Sequence, residues 1–482
     1  MSHRVNTENG ERAATRPASA GALAGLALSM LLSSLGTSIA NVALPTLAEA
    51  FGASFQQVQG VVLAYLLAVT TLIVSVGRLG DIAGRRLLLL AGLVLFTSAS
   101  ALCAAASSLW LLIVARFEQG LGAAVMMALT MALIGETVAK EKIGRAMGLL
   151  GTMSALGTAL GPSLGGVLIA GFGWRAIFLI NVPLGLAAVF LVYRFLPLDR
   201  VVRSADRPRF DIPGTLLLAG TLAAYALAMT TGHGRFDRLN LILLAAAIIG
   251  AGAFVFAERK VASPLIRLAA FRDAALSASL GMNALVSSVI MTTFVVGPFY
   301  LSRSLGLSGA AVGMVMSIGP IVSALSGILA GRAVDRLGAN PTVIAGLAEM
   351  ALGSLALCVL PGLFGLAGYI AGIVILTPGY QLFQAANNTA VMKDVPTSQR
   401  GVTSGLLSLS RNLGLITGAS AMGAVFAFAS MTNDITTAPP EAIATGMRIT
   451  FAVAAVLIVV AIVIAVAGAV FAARSTPSAS AP

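Results

Sequence analysis

The sequence predicts an all-α polytopic membrane protein: two six-helix bundles with two further helices inserted between them, fourteen crossings in all. Three observations carry that expectation. Of the 482 residues, 58% are hydrophobic and only 10% charged, with a mean hydropathy of +0.96; a soluble domain carries about 25% charged residues. Apolar runs recur along the whole chain, each near the ~20 residues a helix needs to cross the hydrocarbon core. A pattern of glycines and charges in the first half also returns in the second at a nearly constant offset.

Breaks at charged, Gly or Pro clusters delimit the elements in order: 21–47, 57–77, 87–106, 109–134, 146–170, 176–196, 213–231, 239–257, 274–301, 309–331, 341–360, 364–390, 402–429 and 449–473. Several exceed one bilayer thickness, which implies tilt or extension past the membrane. The first span is too long for a signal-peptide core and reads as a retained helix. The resulting units are an N-tail (1–20), an N-terminal six-helix bundle (21–196), a stretch of loops and two inserted helices (197–273), a C-terminal bundle (274–473) and a tail (474–482).

Charge orients this array. With the N-terminus inside, the segments on the inner side hold 23 Lys and Arg and those on the outer side 5, while Arg116 and Arg411 fall within helices. Basic residues concentrate on cytoplasmic loops, so both termini are expected in the cytoplasm. The net charge of +12 therefore belongs to membrane topology, not to nucleic-acid binding. Cys103 and Cys358 stand alone, and the two histidines, His3 and His233, lie in a tail and a loop, so no metal centre is expected. There is no nucleophile–base set and no Gly-x-x-x-x-Gly-Lys-Ser/Thr phosphate loop. Neither an enzyme nor an ATP-driven pump is expected, and no cofactor. The excess of 26 Arg over 4 Lys, with abundant Ala, is in keeping with a GC-rich bacterium and hence a bacterial cytoplasmic membrane.

The repeat is specific. Gly77-Arg78-Leu79-Gly80-Asp81-Ile82-Ala83-Gly84 returns as Gly331-Arg332-Ala333-Val334-Asp335-Arg336-Leu337-Gly338, matching at four places 254 residues apart. Gly144, Gly148, Gly157, Gly161 and Gly166 map onto Gly401, Gly405, Gly414, Gly418 and Gly423 at an offset of 257. Parallel halves around a midplane cavity are the layout of an alternating-access transporter.

The first of these runs, continued by Arg85 and Arg86, resembles the loop signature of the major facilitator superfamily. There, Asp81 and the arginines would form a conformational latch on the cytoplasmic face, with Asp335 and Arg336 as its second copy. The segment Gly157 to Gly166, with Gly161, Pro162 and Gly165, resembles the superfamily's antiporter motif, in which close glycines and a proline make a seam between helices. Arg116-Phe117-Glu118-Gln119-Gly120 is similar to its Arg-x-x-Gln-Gly pattern. Trp174 to Gly185, Phe210 to Gly214 and Leu35 to Pro45 are similar to the fourteen-helix drug:proton antiporter branch.

The resemblance implies a major facilitator fold and proton-driven export of drugs or metabolites, with the lipid bilayer, protons and a small-molecule substrate as partners and a monomer as the working unit. One departure bears on coupling: where that branch carries an aspartate in the first helix, this chain has Gly36. The proton is therefore expected to ride on another membrane carboxyl group, and Glu349 and Glu118 are the candidates; Glu49 and Glu136 stand near helix ends, where solvation or capping is expected. Candidates for lining a wet cavity, or for interhelical hydrogen bonds, are Asn41, Tyr65, Arg116, Gln119, Asn283, Tyr300, Gln381, Gln384, Asn387, Asn388, Arg411 and Asn412. The alternative reading is a symporter or facilitator for an organic anion or nutrient, favoured by Gly36, Arg116 and Arg411.

Overall fold

Without water to satisfy backbone amides in the hydrocarbon core, the chain closes its hydrogen bonds within helices. The computed structural model describes residues 20–138, 143–198, 211–230, 237–261, 264, 271, 273–392, 400–431 and 438–475, and contains no strand among them. The first half holds α1 (Ala20–Val42), α2 (Leu44–Phe51), α3 (Phe55–Ala83), α4 (Arg85–Ala105), α5 (Leu109–Thr137), α6 (Ile143–Phe172), α7 (Ala176–Leu179) and α8 (Asn181–Phe195). Then come α9 (Ile212–Thr230) and α10 (Arg238–Lys260). The second half holds α11 (Ala274–Phe299), α12 (Gly309–Leu337), α13 (Ala339–Met392), α14 (Arg400–Thr417), α15 (Gly423–Ala429) and α16 (Pro440–Ser475). π turns at Tyr300–Ser304 and Gly418–Met422 extend α11 and join α14 to α15.

Local chemistry sets several helix starts. Ser54 opens α3 with a capping box to Gln57, Ser108 caps α5, Asp273 caps α11 and Ser308 caps α12. Thirteen described helices are long and apolar enough to cross a membrane. One of them, α13, is 54 residues long and turns back on itself at Gly365 (φ 53°, ψ −124°). Its two arms pack together, with Gly353 against Leu376, Gly372 against Leu357 and Gly346 against Phe383.

Two sequence expectations about boundaries are corrected. The first span stops at Val42 and is followed by the separate α2, because Pro45 cannot donate to a continuing helix. Gly77 and Asp81 lie within α3, which runs on to Ala83, and the chain turns only at Gly84 (φ 93°). Likewise Gly331 and Asp335 lie within α12, and the turn comes at Gly338 (φ 83°). The motif thus ends long helices at a left-handed glycine rather than forming an open loop.

The helices α1, α3, α4, α5, α6 and α8 pack as one bundle, and α11 to α16 as another. The inserted α9 and α10 pair with each other, and α9 also touches α3 of the first bundle and Gly418–Met422 of the second. The repeat persists in three dimensions. Ser38 Oγ on α1 donates to Gly157 O on α6, and Ser288 Oγ on α11 donates to Gly414 O on α14. Gly157 and Gly161 lie against α1 at Leu31 and Ser38, as Gly414 and Gly418 lie against α11 at Ala284 and Ser288. Pro162 lies inside the continuous α6, where it cannot donate a backbone hydrogen bond, and its counterpart at the same offset, Ala419, sits in the π turn of Gly418–Met422. Both halves therefore loosen the same helix at the same level.

Candidate functional site

The seam between the bundles encloses a cavity of about 470 Å³, a size that takes a drug-sized molecule. Ser34, Thr37, Ser38 and Asn41 line it from α1 at helical spacing, with Ser154 and Thr158 from α6. Opposite stand Tyr380, Gln381, Gln384 and Asn388 from the second arm of α13, and Arg411 and Asn412 from α14. Met30, Met127, Met131, Met291, Met316 and Phe294 supply apolar, adaptable wall.

Several polar atoms of this wall have no hydrogen-bond partner among the described residues: Asn41 Oδ1, Ser287 Oγ, Gln384 Oε1 and Asn412 Nδ2. Ser34 and Ser154 bond each other across α1 and α6 at 2.8 Å, and Gln381 donates to Ser323 Oγ. Among the described lining residues there is no carboxylate, and Arg411 is the one cation. No group of residues able to hold a metal occurs among the described residues.

At the end of the molecule that carries α2, side chains from both bundles close the seam. Phe55 of α3 meets Phe299 of α11 and Phe426 of α15 edge-on, with ring centroids 4.7 and 5.6 Å apart. Gln59 Nε2 donates to Ala419 O at 2.8 Å, and Glu49 of α2 pairs with Arg303 at 2.7 Å. The helices α6 and α12 cross here at bare backbone, Gly166 against Gly313. On the repeat-related side, Gly423 of α15 faces Gln59 of α3. The inter-bundle contacts thus follow the same internal symmetry as the bundles.

Residues 26–419 match the family model of the Major Facilitator Superfamily. The chain belongs to that superfamily. Among its relatives, the riboflavin transporter RibZ of Clostridioides difficile (strain 630) is 30% identical over 403 residues, which cover 83% of this chain and 87% of the relative. The multidrug resistance protein Stp of Mycobacterium tuberculosis is 31% identical, covering 84% and 74%. The multidrug efflux pump LfrA of Mycolicibacterium smegmatis is 30% identical, covering 84% and 80%. The fold matches that of a bacterial homologue of the human lysosomal transporter Spinster, in an inward-facing, unoccupied conformation. There the TM-score is 0.69 at 16% identity, over 95% of this chain and 98% of that one. The chain is thus a membrane transporter and not an enzyme.

Within this facilitator the predicted residues separate into two groups. Asn41, Gln381, Gln384, Asn388, Arg411 and Asn412 come together on the cavity. Arg116, Gln119 and Tyr65 do not. Arg116 is fully buried inside the first bundle, donating from Nε to Val61 O (3.1 Å), from Nη1 to Gln119 Oε1 (2.5 Å) and from Nη2 to Gly36 O (3.0 Å). Its guanidinium stacks 4.2 Å from the Tyr65 ring centroid, Gln119 passes the network on to Ser100, and Tyr65 donates to Ser33 O. A buried cation is tolerable here because three oxygens and an aromatic face replace its water. A Cβ on Gly36 would stand 2.9 Å from the Tyr65 hydroxyl, so that hydroxyl occupies the room a side chain at position 36 needs.

The remaining cavity candidates are corrected similarly. Asn283 donates to Leu407 O and ties α11 to α14; Asn387 is wholly enclosed behind the wall; Tyr300 reaches towards Pro361 O and borders a separate recess of about 100 Å³. Neither proton-carrier candidate lines the cavity. Glu349 is half-buried on the first arm of α13, its Cβ facing Gly379 of the second arm, and Glu118 is half-buried on α5. Of the latch residues, Arg86 donates to Tyr193 O at 2.6 Å and packs its guanidinium on the Tyr193 ring. Arg85 follows Gly84 at the start of α4, and Asp335 and Arg336 are exposed. The side chains at Gly77, Arg78, Asp81 and Glu136 lie outside the described residues. In the antiporter motif, Gly165 lies against Val42 of α1, and Gly166 turns to the other bundle.

The aromatic closure was missed from sequence. Phe55, Phe299 and Phe426 are far apart in the chain and sit among 21 phenylalanines, so nothing local singles them out.

Proposed function

We propose that this facilitator exports small organic molecules in exchange for protons by alternating access, as a monomer in a bacterial cytoplasmic membrane with both termini inside. Counting the two arms of α13 as separate crossings gives fourteen. The observation that carries the reading is the cavity at the seam of two repeat-related bundles, closed at one end by side chains drawn from both. By the distribution of basic residues the closed end faces outward, so the state described is one that receives substrate from the cytoplasm. The efflux pumps among the relatives support this direction. Because Glu349 and Glu118 stand away from the cavity, coupling through either acid would run through the relative movement of helices rather than through direct competition with substrate.

The test is efflux in proteoliposomes under an imposed pH gradient. Glu349→Gln is expected to abolish pH-driven accumulation while preserving downhill exchange, with Glu118→Gln as the parallel variant. Wild-type accumulation by both variants would remove the two acids from coupling. A second reading, a facilitator for organic anions, is favoured by the described lining residues, which hold one cation, Arg411, and no acid; that one relative is named a riboflavin transporter supports a substrate other than a multidrug cation.

A further inference from the structure

The charge of the cavity is asymmetric in a way the scaffold does not require. By the internal repeat, Arg411 on α14 stands at the place of Ser154 on α6, at the offset of 257 that relates the paired glycines. Ser154 is satisfied by Ser34. Arg411 is half-buried on the cavity wall and makes no hydrogen bond, ion pair or ring contact with any described residue. Contrast Arg116, whose guanidinium is spent on Val61, Gln119 and Gly36 in holding helices together. An arginine at membrane depth is costly unless it faces a cavity or a counter-charge. Here the chain supplies the cavity and, among the described lining residues, no acid.

Resting on the transport reading above, we propose that Arg411 is the subsite for the anionic group of an amphipathic organic anion, whose aromatic or aliphatic body lies against the cavity's methionines and Phe294. A guanidinium offers a planar fork of donors that fits a carboxylate, phenolate or sulfonate. The adjacent Asn412 Nδ2 is a further donor with no partner among the described residues, while Asn41 Oδ1 and Gln384 Oε1 are acceptors for the hydroxyl or N–H groups of the same molecule. A lipophilic cation finds no carboxylate among the described lining residues and meets like charge at Arg411.

Two dyes on one xanthene frame test this with the full-length protein: fluorescein, an anion, and rhodamine 123, a cation. Binding is measured by fluorescence titration of the purified protein, and movement by counterflow in proteoliposomes. The wild type should bind fluorescein on the order of tenfold or more tighter than rhodamine 123, the range expected for losing one hydrogen bond to a charged group. Arg411→Gln should erase the preference and Arg411→Glu reverse it. Gln384→Glu keeps Arg411 and the shape of the wall but adds a carboxylate, and it should weaken fluorescein binding in the same direction. A preference unchanged in all three variants, a wild type that prefers rhodamine 123, or one that binds neither dye overturns the subsite. Anion binding that behaves as expected without counterflow keeps the subsite and overturns the transport reading instead.

Discussion

Replacing Gly313 with alanine perturbs the closed end at one defined point. The new Cβ would stand 2.6 Å from Gly166 Cα and 2.7 Å from Pro162 O. Carbon atoms in contact settle at about 3.5–4.0 Å, so α6 and α12 must part by roughly 1 Å. The opposing atoms are backbone and cannot swing aside as a side chain would. Overpacking of this kind costs about 1–3 kcal/mol. That cost falls only on the state in which these helices touch, so it shifts the equilibrium towards the opposite state by about 5- to 150-fold. Gly171→Ala on the facing helix α6 is the control, since a Cβ there meets nothing within 4 Å. The assay is labelling by a membrane-impermeant maleimide, applied from the closed side, of a cysteine at Asn41, with Cys103 and Cys358 replaced by serine. Gly313→Ala should raise the labelling rate within that range and Gly171→Ala leave it unchanged. A lowered unfolding temperature with an unaltered labelling rate would refute the reasoning and make the glycine crossing ordinary packing.

Two further outcomes follow from the same geometry. Arg116→Lys keeps the charge but cannot reach Val61 O, Gln119 Oε1 and Gly36 O together; thermal unfolding in detergent should show a loss of roughly 1.5–3 kcal/mol, the worth of a hydrogen bond to a charged group, with ligand affinity unchanged, whereas a selective loss of affinity would return Arg116 to the cavity. Gly214→Ala would set a Cβ 2.5 Å from Asp211 Oδ2 and 2.7 Å from Glu258 Oε1, both on buried side chains; the α9–α10 pair should loosen, seen as faster proteolysis of the intact protein between residues 198 and 211, and an unchanged digestion rate would show that the two carboxylates yield freely.

Much of the architecture was legible because the membrane enforces it. Span length and a glycine repeat each reflect one physical constraint, and Gly84 and Gly338 prove to share the positive φ that their matched positions imply. The glycines of α6 were identifiable for the same reason: Gly157, Gly161 and Gly165 all turn to α1, where no Cβ fits. The site was only half legible. A polar residue in a membrane helix announces that it needs a partner, but the sequence does not say whether that partner is a carbonyl of its own bundle or a substrate. Arg116 and Arg411 look alike in the chain; only packing shows the first to be consumed by three acceptors and the second to stand on the wall with no partner among the described residues. Glu349 was attractive because it sits mid-helix, yet depth in the membrane is not position on the cavity, and the arms of α13 place it against Gly379.

The sign of the cavity charge bears on direction and on driving force together. In a cell with a negative interior, moving one elementary charge across the potential is worth about 2.3 kcal/mol per 100 mV. An organic anion held by Arg411 leaves down that gradient, so export gains this energy for each charge moved, whereas uptake by the same cavity must overcome it. Exchange for one entering proton moves a second charge in the favourable sense and doubles the electrical term. A lipophilic cation leaving in exchange for one proton moves no net charge and draws only on the pH difference. A cavity wall with no carboxylate among its described residues is thus not a defect in an exporter. With an anionic substrate the electrical gradient alone opposes accumulation in the cell, and the burden on any proton carrier falls accordingly. Imposing a potassium–valinomycin potential at equal pH on the two sides separates the cases: fluorescein efflux should rise with an interior-negative potential in the wild type and also in Glu349→Gln. Efflux that responds to the pH gradient but not to the potential would instead require an electroneutral cycle, in which the anion leaves together with a proton, and return the coupling to a protonatable group.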